Sequence, residues 1–180
     1  MEKKLQIHPF PPLWSPQSRV LILGSFPSVK SREAAFFYAH PRNRFWPVLA
    51  ALFDEPPPRT VEEKTALVLS HRLALWDVAA RCEIAGSSDA SMSAVEANDL
   101  RPILDGAEIR AIFCNGGTSW AYFQKLCRSA LGREAEQLPS TSPANARWST
   151  EQLTRAWGAA ILPYLEDQEA AERANSSSAS

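Results

Sequence analysis

"RVLILGSFPS", Arg19 to Ser28, is the stretch on which the fold class turns. Val20, Leu21, Ile22 and Leu23 are apolar without interruption, and the run stops at Gly24. A strand with one wet face alternates apolar and polar residues; a strand covered on both faces does not. The spacing therefore predicts a buried parallel strand that ends in a tight glycine turn. Outward from it, "LALWDVA" (73–79) reads as a second possible strand. "EIRAIFCNGG" (108–117) is the clearest companion and again stops at glycine. "REAEQLPSTSPAN" (133–145) reads as a final strand running into a Ser/Thr/Pro loop.

Helical patterns lie between these runs. "RFWPVLAALF" (44–53) tolerates Pro47 in its first turn. "VEEKTALVLSHR" (61–72) starts near Thr60 or Val61, "LRPILDGA" (100–107) is short, and "TSWAYFQKLCRSAL" (118–131) follows the strand before it. "WSTEQLTRAWGAAILPYLE" (148–166) has Ser149 or Thr150 as its N-cap, with Glu151 in the first turn. The first eighteen residues read as irregular, and "RCEIAGSSDASMSAVEAND" (81–99) as a polar connection. Strand–turn–helix units in series imply an α/β fold with a mostly parallel sheet and helices on both faces. Residues 1–166 are expected to form one domain, and 167–180 a disordered tail.

In such sheets ligands sit beyond the carboxyl ends of the strands. "GSFPS", "NGGTS" and "STSPAN" all fall there and are all rich in small hydrogen-bonding residues. Other chemistries find little support. There is no GxGxxG, no Walker lysine and no GxSxG elbow. Cys82, Cys114 and Cys127 form no CxxC pair, and His8, His40 and His71 are scattered, so neither a metal nor a cofactor is expected. Asp77 and Asp89 stand apart from the carboxylates on helix faces, though either could simply cap a turn. The 180 residues carry a net charge of −1, so any nucleic-acid contact must be a local patch. The chain lacks a signal-like or membrane-spanning run, and a cytoplasmic monomer is expected.

"FFYAHPRNRFW", Phe36 to Trp46, crowds aromatic rings with a histidine, an asparagine and two arginines. With "GSFPS" before it and "LPSTSPANAR" near the end, it resembles the uracil-DNA glycosylase superfamily. Within that superfamily it is most similar to the hypoxanthine-DNA glycosylase branch and also to the mismatch-specific uracil-DNA glycosylases. The resemblance spans roughly Val20 to Leu165. It implies a three-layer α/β/α sandwich around a mostly parallel four-stranded sheet, acting on DNA that contains deaminated bases. Much of the superfamily carries an Asn or Asp in the first motif to position water; here that place is Phe26. By resemblance to the hypoxanthine branch, the water-positioning role passes to Asn43. The second-motif histidine is also missing, and that loop offers Ser140, Thr141 and Ser142 instead.

The resemblance implies roles for further residues. Tyr38 is the ring against a flipped base, and Phe26 a second wall. Asn115, whose amide both donates and accepts, could read the base edge, or could be only a turn residue at a strand end. His40 is placed at the base pocket, more as a loop-fixing hydrogen bonder than as an acid. Ser25, Ser28, Ser140 and Ser142 would clamp phosphates, with Arg42 or Arg44 helping and Lys30 and Arg32 adding charge. Ala144, Asn145, Ala146 and Arg147 would fill the gap left in the duplex. Phe45 and Trp46 are expected in the core. No lysine stands in a matching position, which implies a hydrolase without lyase chemistry. Two other readings stay open on the residues alone: a binding module that recognises damaged or single-stranded DNA without cutting, and an α/β hydrolase-like enzyme acting on a free nucleoside or other small molecule.

Overall fold

The computed structural model describes residues 1–167 and Ser177. The expected tail, apart from Asp167 and Ser177, lies outside them. The first half of the described chain contains β1 (Lys4–Ile7), β2 (Val20–Gly24), α1 (Val29–Ala34), α2 (Phe45–Leu52), α3 (Val61–Ser70), β3 (Leu73–Asp77) and β4 (Ala79–Ile84). The second half contains β5 (Ser93–Ala97), α4 (Arg101–Gly106), β6 (Ala111–Asn115), α5 (Gly117–Leu126), α6 (Arg128–Leu131), β7 (Glu136–Leu138) and α7 (Thr150–Ile161). No described helix is long and apolar enough to cross a membrane.

β2 is buried along its whole length and sits inside a parallel four-stranded sheet of order β3-β2-β6-β7. Its register pairs Gly24 with Asp77 and Leu23 with Cys114, while Asn115 pairs with Leu138 on β7. Gly24, Asp77, Asn115 and Leu138 therefore end their strands side by side, and the loops that follow meet at one edge of the sheet. Gly24 is held to glycine by space: a Cβ there would lie 2.3 Å from Asp77 Oδ1. The sheet with its helices matches the expected α/β fold class.

Helix chemistry agrees with position. Thr60 and Ser149 form capping boxes with Glu63 and Gln152. Leu153, Trp157 and Ile161 repeat every fourth residue on α7 and are fully buried. α7 packs on α2, where the Phe45 and Trp157 rings meet edge-on at 5.8 Å. Trp157 Nε1 donates to the Pro139 carbonyl at 2.9 Å, which anchors the loop leaving β7.

Three local expectations need correction. The amino-terminal segment and the connection 81–99 are not irregular: β1, β4 and β5 make a separate antiparallel sheet of order β1-β4-β5. The register shifts between β4 and β5, which breaks the period-two signal in the sequence. The helix expected over 118–131 is divided at Cys127 into α5 and α6, and α1 had no counterpart in the sequence reading.

Candidate active site

Asn43 lies where the loop before α2 meets the loop after β7. Its Oδ1 accepts from Phe45 N–H at 3.0 Å and from Thr141 Oγ1 at 2.8 Å. A backbone N–H can only donate, so Phe45 fixes which end of the amide is oxygen. Thr141 is completely buried. Its N–H donates to Asn115 Oδ1 at 3.0 Å, and its hydroxyl accepts from Asn115 Nδ2 at 2.9 Å. The direction of every link follows: Asn115 donates to Thr141, and Thr141 donates to Asn43. Both lone-pair sites on the Asn43 oxygen are filled, while its Nδ2 makes no hydrogen bond among the described residues. For the water-positioning role expected of Asn43, the N–H end is therefore the available one.

Tyr38 stacks on Phe45, with ring centroids 3.9 Å apart and planes 18° apart. Its backbone is left-handed, with φ of 49°, a conformation that costs a non-glycine residue energy. The hydroxyl is buried among Gly24, Asp77 and Asn115 without a well-formed hydrogen bond. Burial, followed by the neighbouring Asp77 charge, pushes its pKa well above the usual tyrosine range. Asp77 is itself buried and lies 2.6 Å from His8 Nε2. Phe10 N–H points at His8 Nδ1, so Nε2 is the nitrogen that donates to the carboxylate.

The remaining expected residues are distributed around this centre. Ser25 donates to Asp89 at 2.8 Å. Burial raises the Asp89 pKa, the Ser25 hydrogen bond opposes the rise, and the Asp77 charge adds to it. Phe26 is 7% exposed and belongs to a small cluster with Cys82, Ile84 and Met92, with the Arg32 guanidinium 5.6 Å from its ring centre. Arg32 is spent on the carbonyls of Pro27 and Gly86, and burial lowers its pKa. Ser28 caps α1 through Ser31 N–H. His40 Nδ1 accepts from Arg42 N–H at 3.1 Å, a loop-fixing bond, and Arg42 itself is exposed.

In the second loop, Ser140 Oγ accepts from Ser142 N–H, and Ser142 Oγ accepts from Ala144 N–H. Among the described residues neither hydroxyl hydrogen is donated. Asn145 Nδ2 donates to the Ser140 carbonyl at 2.9 Å, and Arg147 is exposed. Phe45 and Trp46 are in the core as expected, at 0% and 5% exposed.

A profile of the Uracil DNA glycosylase superfamily matches residues 11–166. The chain belongs to that superfamily. A curated Hypoxanthine DNA glycosylase from Methanosarcina acetivorans is 32% identical over 141 residues, covering 78% of this chain and 89% of that protein. One of the same description from Methanosarcina barkeri is 29% identical over 154 residues, covering 84% and 96%. The solution NMR structure of a candidate uracil DNA glycosylase from M. acetivorans superposes with a TM-score of 0.75 at 29% identity, covering 91% of this chain and all of that one. As a superfamily member, the chain combines the motif containing Asn43 with a loop whose key contact, Thr141, sequence reasoning noted but gave no role. The His8–Asp77 pair was missed too. Its one sequence signal was Asp77, a carboxylate at the end of an apolar strand.

Proposed function

We propose that this chain is a monofunctional DNA glycosylase that removes deaminated bases, hypoxanthine first among them, and leaves an abasic site. The names of the two curated relatives support the substrate class. The observation that carries the mechanism is the Asn43 amide, with its oxygen engaged twice and its N–H end free.

The reaction asks little of a base catalyst. The N-glycosidic bond breaks with its electron pair going to the purine, and the sugar becomes oxocarbenium-like. Such a cation accepts water directly. Asn43 Nδ2–H donates to the water oxygen and leaves its other lone pair aimed at C1′. The water proton then passes to solvent or to the departing base. The Asn115–Thr141 pair fixes the amide rotamer, so no reorganisation is needed at the moment of reaction. Tyr38, backed by Phe45, offers a ring against which an unstacked base can rest.

The test is a set of oligonucleotides carrying hypoxanthine, uracil or xanthine, incubated with protein and developed with hot alkali. Strand scission at hypoxanthine is expected with the parent chain. Asn43→Ala should lower the rate by about 100- to 1,000-fold, the cost of removing one preorganised donor. It should stay folded by circular dichroism. An Asn43→Ala protein that matches its parent removes the mechanism, and a parent that binds without cutting is a recognition module.

A further inference from the structure

Arg44 follows Asn43 directly but spends its side chain on a distant part of the sequence. Its guanidinium donates to the carbonyls of Ser142 at 3.2 Å and Asn145 at 2.8 Å, and also to that of Trp148. These partners are 98, 101 and 104 residues away. Its backbone N–H donates to the Thr141 carbonyl at 3.0 Å. Nε is buried and has no hydrogen-bond partner among the described residues. Among the described residues no carboxylate pairs with Arg44. Partly buried cations normally sit against an anion. Here carbonyl dipoles alone surround the charge.

The loop has little else to define it. Ser140, Ser142 and Asn145 bond within it, and Trp148 is 37% exposed. A planar fork can hold several carbonyls in fixed directions; an ammonium on a flexible stem cannot. Adjacent residues of one segment thus grip adjacent parts of the other: Asn43 holds the Thr141 side chain, and Arg44 holds the carbonyls of Ser142, Asn145 and Trp148.

We propose that Arg44 is a positioning residue that ties the shape of the 142–148 loop to the backbone bearing Asn43, so that duplex DNA is processed only when that loop is correctly formed. The proposal rests on the glycosylase reading for its substrate, and on the loop as the duplex-facing element. Single-stranded substrate needs no wedge and depends on Arg44 much less.

Arg44→Lys, which keeps the charge, and Arg44→Met, which removes it, separate geometry from charge. Hydrogen exchange by mass spectrometry and single-turnover excision of hypoxanthine, in duplex and single strand, are measured for parent and variants. Both variants should exchange the 140–149 amides at least about tenfold faster, a loss of one to two hydrogen bonds' worth of protection, with other segments unchanged. Half-saturation for duplex should rise about tenfold or more, as expected when positioning rather than chemistry is lost, and the single-strand value by no more than about twofold.

Unchanged loop exchange, or equal losses on both substrates, overturns the proposal. A Lys variant that behaves as the parent shows that charge alone suffices, and also overturns it. If the parent excises nothing, the glycosylase reading fails. Loop exchange and affinity for plain duplex then decide the Arg44 proposal on their own, and it falls if either stays at the parent value.

Discussion

The two segments that meet at Thr141 are built by opposite means. Phe36 to Trp46 is shaped by its own rings: Tyr38 lies on Phe45, Phe36 stacks near Trp46, and Trp46 Nε1 donates to the Phe37 carbonyl. The segment 139–148 has no such internal core. Beyond short hydrogen bonds of its own, it is held by groups from elsewhere, namely Trp157 at its start, Asn115 and Asn43 at Thr141, and Arg44 at the carbonyls of Ser142, Asn145 and Trp148. One segment carries its shape with it; the other takes its shape from its neighbours. Damage to the rings of the first should therefore appear as lost stability, and damage to the polar contacts that join the two as lost function in a protein that still folds.

The largest effect expected from this contrast is at Phe45. Its side chain is fully buried between Tyr38 and Trp157. Phe45→Ala should cost about 3–5 kcal/mol in urea unfolding. A loss below about 1 kcal/mol, the range of an ordinary surface change, would mean that the rings do not hold the segment. Next comes Thr141→Val, which preserves shape but strips out the hydroxyl between Asn115 and Asn43. Excision should fall about 10- to 100-fold, the equivalent of roughly 1.4–2.7 kcal/mol in the barrier, while the chain stays folded. A collapse in melting temperature with unchanged turnover in the surviving protein would erase the distinction between the segments.

The smallest effect concerns pH. No link in the line Asn115–Thr141–Asn43 titrates, and the Tyr38 hydroxyl is pushed above its ordinary value of 10.0. A raised folded-state pKa keeps that phenol protonated, so its contribution to stability is intact below pH 10 and is lost only as pH rises beyond. Single-turnover excision should accordingly vary by no more than about twofold between pH 6 and 8, since no group needs to change charge. A steep limb in that window would show that a titrating side chain takes part.

How much of this was legible in sequence differs in the same way. β2 and β6 announced themselves because strands buried on both faces are continuous apolar runs. β4 was not legible, because its buried and exposed residues follow no simple period. β1 exposes Leu5 and Ile7, so nothing marks a packed face. Asn43, Tyr38 and Asn115 could be singled out from motifs or strand ends. The role of Thr141 could not, because it is defined by partners 26 and 98 residues away. Arg44 looked like a candidate for phosphate only until its carbonyl partners were placed.

The amide at the end of that polar line cannot turn over. Rotating it would set nitrogen against the Phe45 N–H, a like-against-like encounter. The outer end of Asn43 is therefore signed: it shows hydrogen to whatever arrives and keeps its oxygen inside. Visitors that bring an electron pair are welcomed there, and those that bring only hydrogens find no counterpart.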